Sequence, residues 1–486
     1  MRLFLTLSFF VSVSATAAEH PNVLFIMSDD LRPQLGCYGD PVVKTPHLDA
    51  FASQALRFER AYVQSAICSP SRNSMMSGMR PNTTGLRGFG VNLRDALPDV
   101  ITLPQHFKQQ GYHAQAFGKI YHIYDESMLG DENDPESWSV PLQWPSVPVW
   151  GPEQHALRNE LIKQARARGE VFDHPHDWPR AETWDDSDVP DEEMQDGEIA
   201  QMAAAFLQSR KGDGEPFFLG VGFLRPHLPF NAPKKYWDLY DPEALELPTF
   251  RSLPEGAPSW AVTQGIVRNY HNMPDFETIE ESFLKRYLQA YLACISYVDA
   301  CFGTVLSALA DSGHADNTIV VFLGDHGYQM GEYDSWGHKH ANFEISTRAP
   351  LLLRVPGMKQ PGTAWEAPVE FLDLYPTLCE LAGLSIPEGP EGASLAGLFR
   401  DPRVLPPKQV ACSEMNRRGR IGRSIRSADF RYTEWRNPSG QIVARELYDH
   451  RDGEFLETKN VIDEAHPDIA LGLSAQLAKL VPYSSP

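Results

Sequence analysis

Asn22-Val23-Leu24-Phe25-Ile26-Met27-Ser28-Asp29-Asp30 decides the fold. Asn22 to Met27 is mostly apolar and does not alternate, and it runs straight into a serine and two adjacent carboxylates. Such a run, stopped abruptly by charge, predicts a strand buried on both faces of a parallel sheet, with its polar C-terminal end exposed. Thr318 to Leu323 repeats the pattern and ends at Gly324-Asp325-His326-Gly327. Phe217 to Phe223 is a third such strand, followed closely by Arg225-Pro226-His227, and Tyr112 to Phe117 a fourth, ending at Gly118-Lys119. One charged junction shows only that a chain has reached solvent. Four of them, carrying Asp, Lys, His and Asp-His, point to the ligand-binding edge of an open α/β sheet.

Helices fit between the strands. Ser282 to Leu309 has apolar residues at helical spacing and is long enough to cross a sheet face. Shorter helices are expected around Met202 to Leu207, Thr102 to Gln110 and Leu372 to Ala382. Asp125 to Asp196 is rich in Asp, Glu, Pro and Trp with little periodicity, so loops around the mouth of a site are expected there, and Tyr240 to Ile279 is similar. After about residue 415 the pattern changes. Ser424 to Arg426, Phe430 to Trp435 and Ala444 to Tyr448 read as antiparallel hairpins before a final helix through Ile469 to Leu480. The expected organisation is a leader over 1–17, a catalytic domain over 18–415 and a smaller antiparallel-sheet subdomain over 416–486.

The leader reading rests on Arg2, the apolar run Leu3 to Val13 and the small-residue cleavage site Ala15-Thr16-Ala17. It predicts an exported protein, periplasmic or secreted, with no stable membrane insertion, because the apolar run is too short for a permanent span. The formal net charge of -21 disfavours nucleic acid, whose phosphates demand a basic surface. Of the six cysteines, Cys294 and Cys301 sit two turns apart on one helix face, roughly 10 Å by helix rise, and read as core thiols. Cys379 with Cys412 is left open as a disulfide pair.

Asp29 and Asp30 are neighbours, which on a bare strand point to opposite faces. At a strand end the backbone turns and both can converge on one ion. Asp325 and His326 repeat the arrangement far along the chain. Three carboxylates and one imidazole make a hard, mostly oxygen site suited to Ca²⁺ or Mg²⁺.

Cys68-Ser69-Pro70-Ser71-Arg72, followed by Ser77-Gly78, resembles the maturation signal of the type I, formylglycine-dependent sulfatases of the alkaline phosphatase superfamily. Asn22 to Asp30 resembles that family's first metal strand, Thr45-Pro46-His47-Leu48-Asp49 its next motif, Gly118-Lys119-Ile120-Tyr121-His122 its second active-site segment and Gly324 to Gly327 its late metal motif. Arg225-Pro226-His227-Leu228-Pro229-Phe230 and Trp336-Gly337-His338-Lys339-His340-Ala341-Asn342-Phe343 are similar to the branch acting on uronate 2-sulfates. The resemblance implies an alkaline-phosphatase-like fold: a large mixed, mostly parallel sheet flanked by helices, with the smaller C-terminal antiparallel sheet.

It also implies roles. Cys68 is converted by a formylglycine-generating enzyme to an aldehyde, whose hydrate is the nucleophile and a ligand of Ca²⁺ with Asp29, Asp30, Asp325 and His326. Asp325 accepts a proton, Arg72 orients the nucleophile, and Lys119, His227 and Lys339 surround the sulfate. His227 is the leading general acid with Lys339 as competitor, and His122 is the base that restores the aldehyde. Arg225, Trp336 and His338 are the substrate-binding candidates. The implied substrate is a sulfated oligosaccharide or polysaccharide chain end, because an acidic protein lacks the long basic cleft needed to grip a sulfated polymer along its length. Alternatives are a sulfatase of another algal or host glycan, a phosphonate monoester or phosphodiester hydrolase using the same nucleophile, and a non-catalytic binder of sulfated glycans.

Overall fold

The computed structural model describes residues 20–123, 133–172, 178–274, 278–401, 403–405, 408–464 and 466–482. The expected leader lies outside them. The main sheet comprises β1 (Asn22–Asp29), β2 (Leu56–Phe58), β3 (His113–Gly118), β4 (Phe217–Pro226), β5 (Thr318–Gly324), β6 (Leu351–Arg354) and β7 (Ala364–Trp365). Their spatial order is β7-β2-β6-β5-β1-β4-β3. β1 is paired in parallel with β4 on one side and β5 on the other, and β3 extends the parallel set beyond β4. Only β6 runs antiparallel to its neighbours. The four strands read as buried runs are therefore adjacent, and all four end at the same edge.

β1 is apolar on both faces because both are covered. Val23, Phe25 and Met27 pack with Met75, Met76, Phe107 and Leu378 on one side. Leu24 and Ile26 pack with Ala203, Tyr291 and Ile295 on the other. Each of these five β1 side chains has no exposed area, and burying one of that size contributes about 1.5–3 kcal/mol. The covering helices are α1 (Cys68–Ser77) on the first face, and α3 (Gln195–Ser209) and α4 (Glu281–Ser312) on the second, with α2 (Pro152–Ala167) further out. α4 is apolar enough to resemble a membrane span, yet most of it is buried inside the protein. Thr102 caps the helix Leu103–Gln109: its side chain accepts from the Gln105 amide, and Gln105 returns the bond.

α2 corrects one expectation. The stretch from Asp125 to Asp196 holds a regular 16-residue helix as well as loops. Only Ile162 and Ala165 are buried along it, so it shows almost no apolar stripe in sequence.

The C-terminal sheet is a meander of β8 (Ala411–Arg417), β9 (Arg420–Arg426), β10 (Phe430–Arg436) and β11 (Ile442–Asp449), with α5 (Pro467–Leu480) packed on it through Leu473 and Leu477. The expected boundary after 415 falls inside β8. That strand carries buried Ser413 and Glu414, which bond to Val63 and Gln64 of the main body, so its polar residues mask it as a strand. Cys294 and Cys301 are buried in the core, and Cys379 and Cys412 are separate free thiols.

Candidate active site

β1 ends in a backbone turn. Asp30 has a φ of 63°, a left-handed conformation uncommon for a residue with a side chain. Its N–H is tied to Asp325 Oδ1 at 3.0 Å. The turn brings Asp29 and Asp30 toward one point, where a simple strand would have splayed them. Cys68 is the first residue of α1, and Arg72, one helical turn later, shares its face. This is the physical sense of the Cys-x-x-x-Arg spacing. Pro70 lies in the first turn, where its missing N–H breaks no helical bond.

Arg72 is fully buried and joins four elements. Its Nε donates to Asp325 Oδ2 at 2.8 Å, Nη2 reaches Asp29 Oδ1 at 3.3 Å, and Nη1 donates to the carbonyls of Lys119 and Ile120. Gly118 and Gly222 make the Lys119 approach feasible. A Cβ on Gly222 would lie 2.0 Å from the Lys119 carbonyl oxygen, and one on Gly118 would lie 2.2 Å from the Gly222 oxygen. Lys119 Nζ then reaches Asp29 Oδ2 at 2.6 Å. Lys339 Nζ lies 2.5 Å from Asp30 Oδ1 and 3.2 Å from Cys68 Sγ. His326 Nε2 is 3.3 Å from the same sulfur.

Asp29, Asp30, Cys68 and His326 each offer a ligand atom, all within 4.8 Å of one another. Asp325 borders this group, with Oδ1 3.6 Å from His326 Nε2, while its other oxygen is held by Arg72. Burial, together with the neighbouring carboxylates Asp29 and Asp325, pushes Asp30 up to about 7 despite Lys339. Burial and Asp29 likewise raise Asp325 to about 6. Burial would raise Asp29 too, but Lys119, His227, Arg72 and Lys339 together hold it well below the usual range. Burial and Lys339 keep His326 neutral. Crowded carboxylates beside a neutral imidazole fit a hard divalent cation, whose charge would relieve their repulsion.

His227 Nδ1 is 2.6 Å from the Leu228 carbonyl, and Nε2 faces Asp30 Oδ2 at 3.8 Å. Burial and Lys339 lower its pKa well below the ordinary value. His122 is packed against Phe89 and also held neutral, by burial and by Lys119. Arg225 is buried, and its Nη1 donates to the carbonyls of His227 and Pro229, so it fastens the His227 segment. Trp336, expected at the substrate, is instead 1% exposed, with its ring against Gly331 and Tyr287. His338 is half-buried, pushed down to about 4 by burial and Arg417. Neither residue lines the cavity that opens over Asp29, Lys119 and His227.

That cavity has a volume of about 400 Å³, and much of its wall comes from the segment expected to loop around the mouth. Trp144, Trp150, His155, Arg158, Trp178 and Arg180 line it. No motif singled these out. The only hint was aromatic and cationic residues within an acid-rich stretch.

A buried helix-borne cysteine at the end of a parallel sheet, ringed by carboxylates, lysines and imidazoles, defines a hydrolase of the alkaline-phosphatase-like class. The chain belongs to the sulfatase family, whose profile, described as Sulfatase, matches residues 21–384, and it is a sulfuric ester hydrolase. A second profile, described as N-sulphoglucosamine sulphohydrolase, C-terminal, matches residues 331–481. Iduronate 2-sulfatase of Mus musculus is 32% identical, over 93% of this chain and 92% of that protein. Its Homo sapiens counterpart is also 32% identical, over 91% of each. Among solved structures, a phosphonate monoester hydrolase from Silicibacter pomeroyi matches with a TM-score of 0.70 and 25% identity, over 94% of both chains.

Proposed function

We propose that this sulfatase removes 2-O-sulfate from a uronate at a saccharide chain end, with a formylglycine made from Cys68 as nucleophile and Ca²⁺ as the resident ion. One observation carries the mechanism: Cys68 Sγ lies within hydrogen-bond reach of both Lys339 and His326, inside the Asp29-Asp30 cluster. As encoded, the thiol is unsuited to attack, because burial and Asp29 push its pKa well above the ordinary value and leave little thiolate. An oxygen in the sulfur's place would keep both neighbours. The substrate reading is supported by the two iduronate 2-sulfatases, which resemble this chain along most of its length.

A hydrated aldehyde at residue 68 would supply a geminal diol, a nucleophile no encoded side chain offers, and Asp29, Asp30, Asp325, His326 and that matured residue would hold a cation whose charge would favour the diol's ionised form. Asp325, whose Oδ2 is held by Arg72 at the edge of the cluster, is the carboxylate assigned to take the proton. Arg72 fixes Asp325 and Asp29 relative to α1. Lys119 and Lys339 bring positive charge to where the sulfate oxygens would sit. His227 is the acid for the departing alcohol, provided that the bound sulfate's negative charge offsets the burial and Lys339 repulsion that lower it and so lets Nε2 carry a proton, and His122, held neutral, is the base for the second step. Arg2, Leu3 to Val13 and Ala15 to Ala17 support export, and maturation requires a formylglycine-generating enzyme as partner.

A second reading, phosphonate or phosphodiester hydrolysis, is favoured by the likeness to the Silicibacter pomeroyi enzyme. Matched sulfate and phosphonate esters discriminate the two by relative turnover. The primary test is mass analysis of the Cys68 peptide from an active preparation, alongside sulfate release from defined 2-O-sulfated disaccharides. The expected result is a residue lighter than cysteine, with activity lost on chelation and restored by Ca²⁺. An active preparation carrying only intact cysteine would falsify the mechanism.

A further inference from the structure

Resting on the reading of His227 as a catalytic group, we propose that Asp196 is a positioning residue for the reaction: its carboxylate closes a bulge at the end of β4 and so sets His227 beside the nucleophile.

The register of the sheet reveals the bulge. β1 and β4 run in step as far as Ser28 opposite Phe223, and the next pair is Asp29 opposite Pro226. Leu224 and Arg225 are left out of that ladder, and the ladder between β4 and β3 has already stopped at Gly222. Bulges re-aim side chains and recur beside active sites, and this one lies just before His227. Its cost is a pair of buried main-chain amides without strand partners, which a fold does not leave unmet.

Asp196 meets both. One carboxylate oxygen accepts from the Leu224 amide at 2.7 Å and the other from the Arg225 amide at 2.8 Å. Burial raises Asp196 to about 6, against the pull of Arg225 and the two amides, so near neutral pH it accepts as a carboxylate and its bonds are charge-assisted. The rest of Arg225 is engaged as well. Ser28 Oγ donates to its carbonyl at 2.6 Å, and its Nη1 donates to the carbonyls of His227 and Pro229, each at 2.6 Å. The His227 amide donates to the Leu224 carbonyl at 3.1 Å. The bulge is thus a closed set of bonds, and Asp196 ties it to the helical layer.

Asp196 is itself fixed. It lies in the first turn of α3, where a carboxylate also suits the helix dipole. Gly197 permits the close approach of that turn: a Cβ there would sit 1.9 Å from the Asp191 carbonyl oxygen. The Tyr297 hydroxyl of α4 accepts from the Gly197 amide at 2.6 Å and donates to the Asp191 carbonyl at 2.8 Å. Contacts therefore run from the core helix α4, through the start of α3, to the end of β4 and His227, whose Nε2 faces Asp30 Oδ2 at 3.8 Å. Without the Asp196 acceptors the amides must find water or the bulge must move, and either displaces His227 from the cluster.

A double-mutant cycle on the matured enzyme tests this, read as sulfate release from a 2-O-sulfated uronate disaccharide. Asp196→Asn keeps the shape and one acceptor oxygen but turns an amide donor toward the second N–H. Alone it is expected to lower kcat at least about tenfold and to change KM less than about threefold. In a His227→Ala background the same substitution is expected to lower kcat less than about threefold, because the group it positions is gone. Asp299→Asn is the control for lost stability, since Asp299 likewise accepts from two main-chain amides, those of His47 at 3.2 Å and Leu48 at 2.7 Å; it is expected to lower the thermal midpoint without a matching loss of kcat. Asp196→Ser, which retains an acceptor and presents no amide donor, repeats the cycle where the Asn variant does not fold, and failure of both to fold assigns Asp196 to folding alone and overturns the proposal. Wild-type kcat in Asp196→Asn, an equal loss in both backgrounds, or a loss matched by Asp299→Asn overturns the positioning role alone. Wild-type turnover by His227→Ala overturns the catalytic reading of His227 instead, whatever Asp196→Asn does.

Discussion

Arg72 is the residue on which the site's order rests. It is buried among two carboxylates and two carbonyls that belong to three separate strand ends. Removing one partner of a buried ion pair leaves uncompensated charge and costs about 3–5 kcal/mol. Arg72→Ala is therefore expected to destabilise the metal-free protein by that amount in urea unfolding. Cys68→Ala, which removes one small atom, is expected to cost about 1 kcal/mol while abolishing turnover. Similar losses of stability for the two variants would contradict the bridging role. His227 permits a kinetic test. With Nδ1 directed at the Leu228 carbonyl, its Nε2 is turned toward Asp30 and the cluster around Cys68. His227→Ala should slow sugar sulfates at least about tenfold more than activated aryl sulfates, because a good leaving group needs less protonation. Equal losses on both substrates would take the acid role from His227 and leave Lys339 as the candidate.

At the scale of elements, the site depends on how closely β3 and β4 cross. Gly222→Ala would press a methyl group into the Lys119 main chain at 2.0 Å. Rigid backbone cannot yield as a side-chain tip can, so a cost of about 1–3 kcal/mol is expected. Turnover should fall further than stability, since the Lys119 ammonium and the carbonyls gripped by Arg72 move together; a soluble variant with wild-type kcat would refute this. The four central strands were legible because burial on both faces leaves an apolar run stopped by charge. The convergence of Asp29 with Asp30 was legible as a strand-end turn, though the left-handed backbone of Asp30 was not. α2 was hidden because it buries only Ile162 and Ala165, and β8 because its buried groups are polar ones that bond to the main body. Arg158, Arg180 and Asp196 were hidden for a related reason. They join the site or its supports only in the folded chain, and no local spacing announces them. Trp336 misled because an aromatic residue in a motif-bearing loop serves core packing as readily as substrate contact.

At the scale of the whole molecule, the C-terminal sheet and the main body share buried charge. Glu344, just before β6, accepts from Arg426 of β9 at 3.1 Å, from Arg431 of β10 at 2.6 Å and from the Tyr62 hydroxyl at 2.6 Å. Arg431 also donates to Glu457 at 2.9 Å. Two arginines thus balance two glutamates across the junction, which welds the sheet to the catalytic body. Burial would raise Glu344, but Arg426 and Arg431 hold it well below the ordinary carboxylate range. Its contribution is therefore present above the unfolded value of about 4.5 and lost as pH falls. Glu446 of β11 has the opposite sign. Its carboxyl accepts from the Trp435 indole and the Tyr448 hydroxyl, yet burial raises it to about 7. Between about 4.5 and 7 the folded chain holds a proton there that the unfolded chain has released. The stabilisation is complete below the lower value and disappears as pH rises through the upper one. Glu446→Gln keeps the acceptor and cannot ionise. Urea unfolding at pH 5 and pH 8 should show the wild type losing on the order of 3 kcal/mol relative to this variant over that interval. Parallel behaviour of the two proteins would mean that Glu446 is charged in the fold, and that the buried charge joining the two sheets is not balanced in the way its neighbours imply.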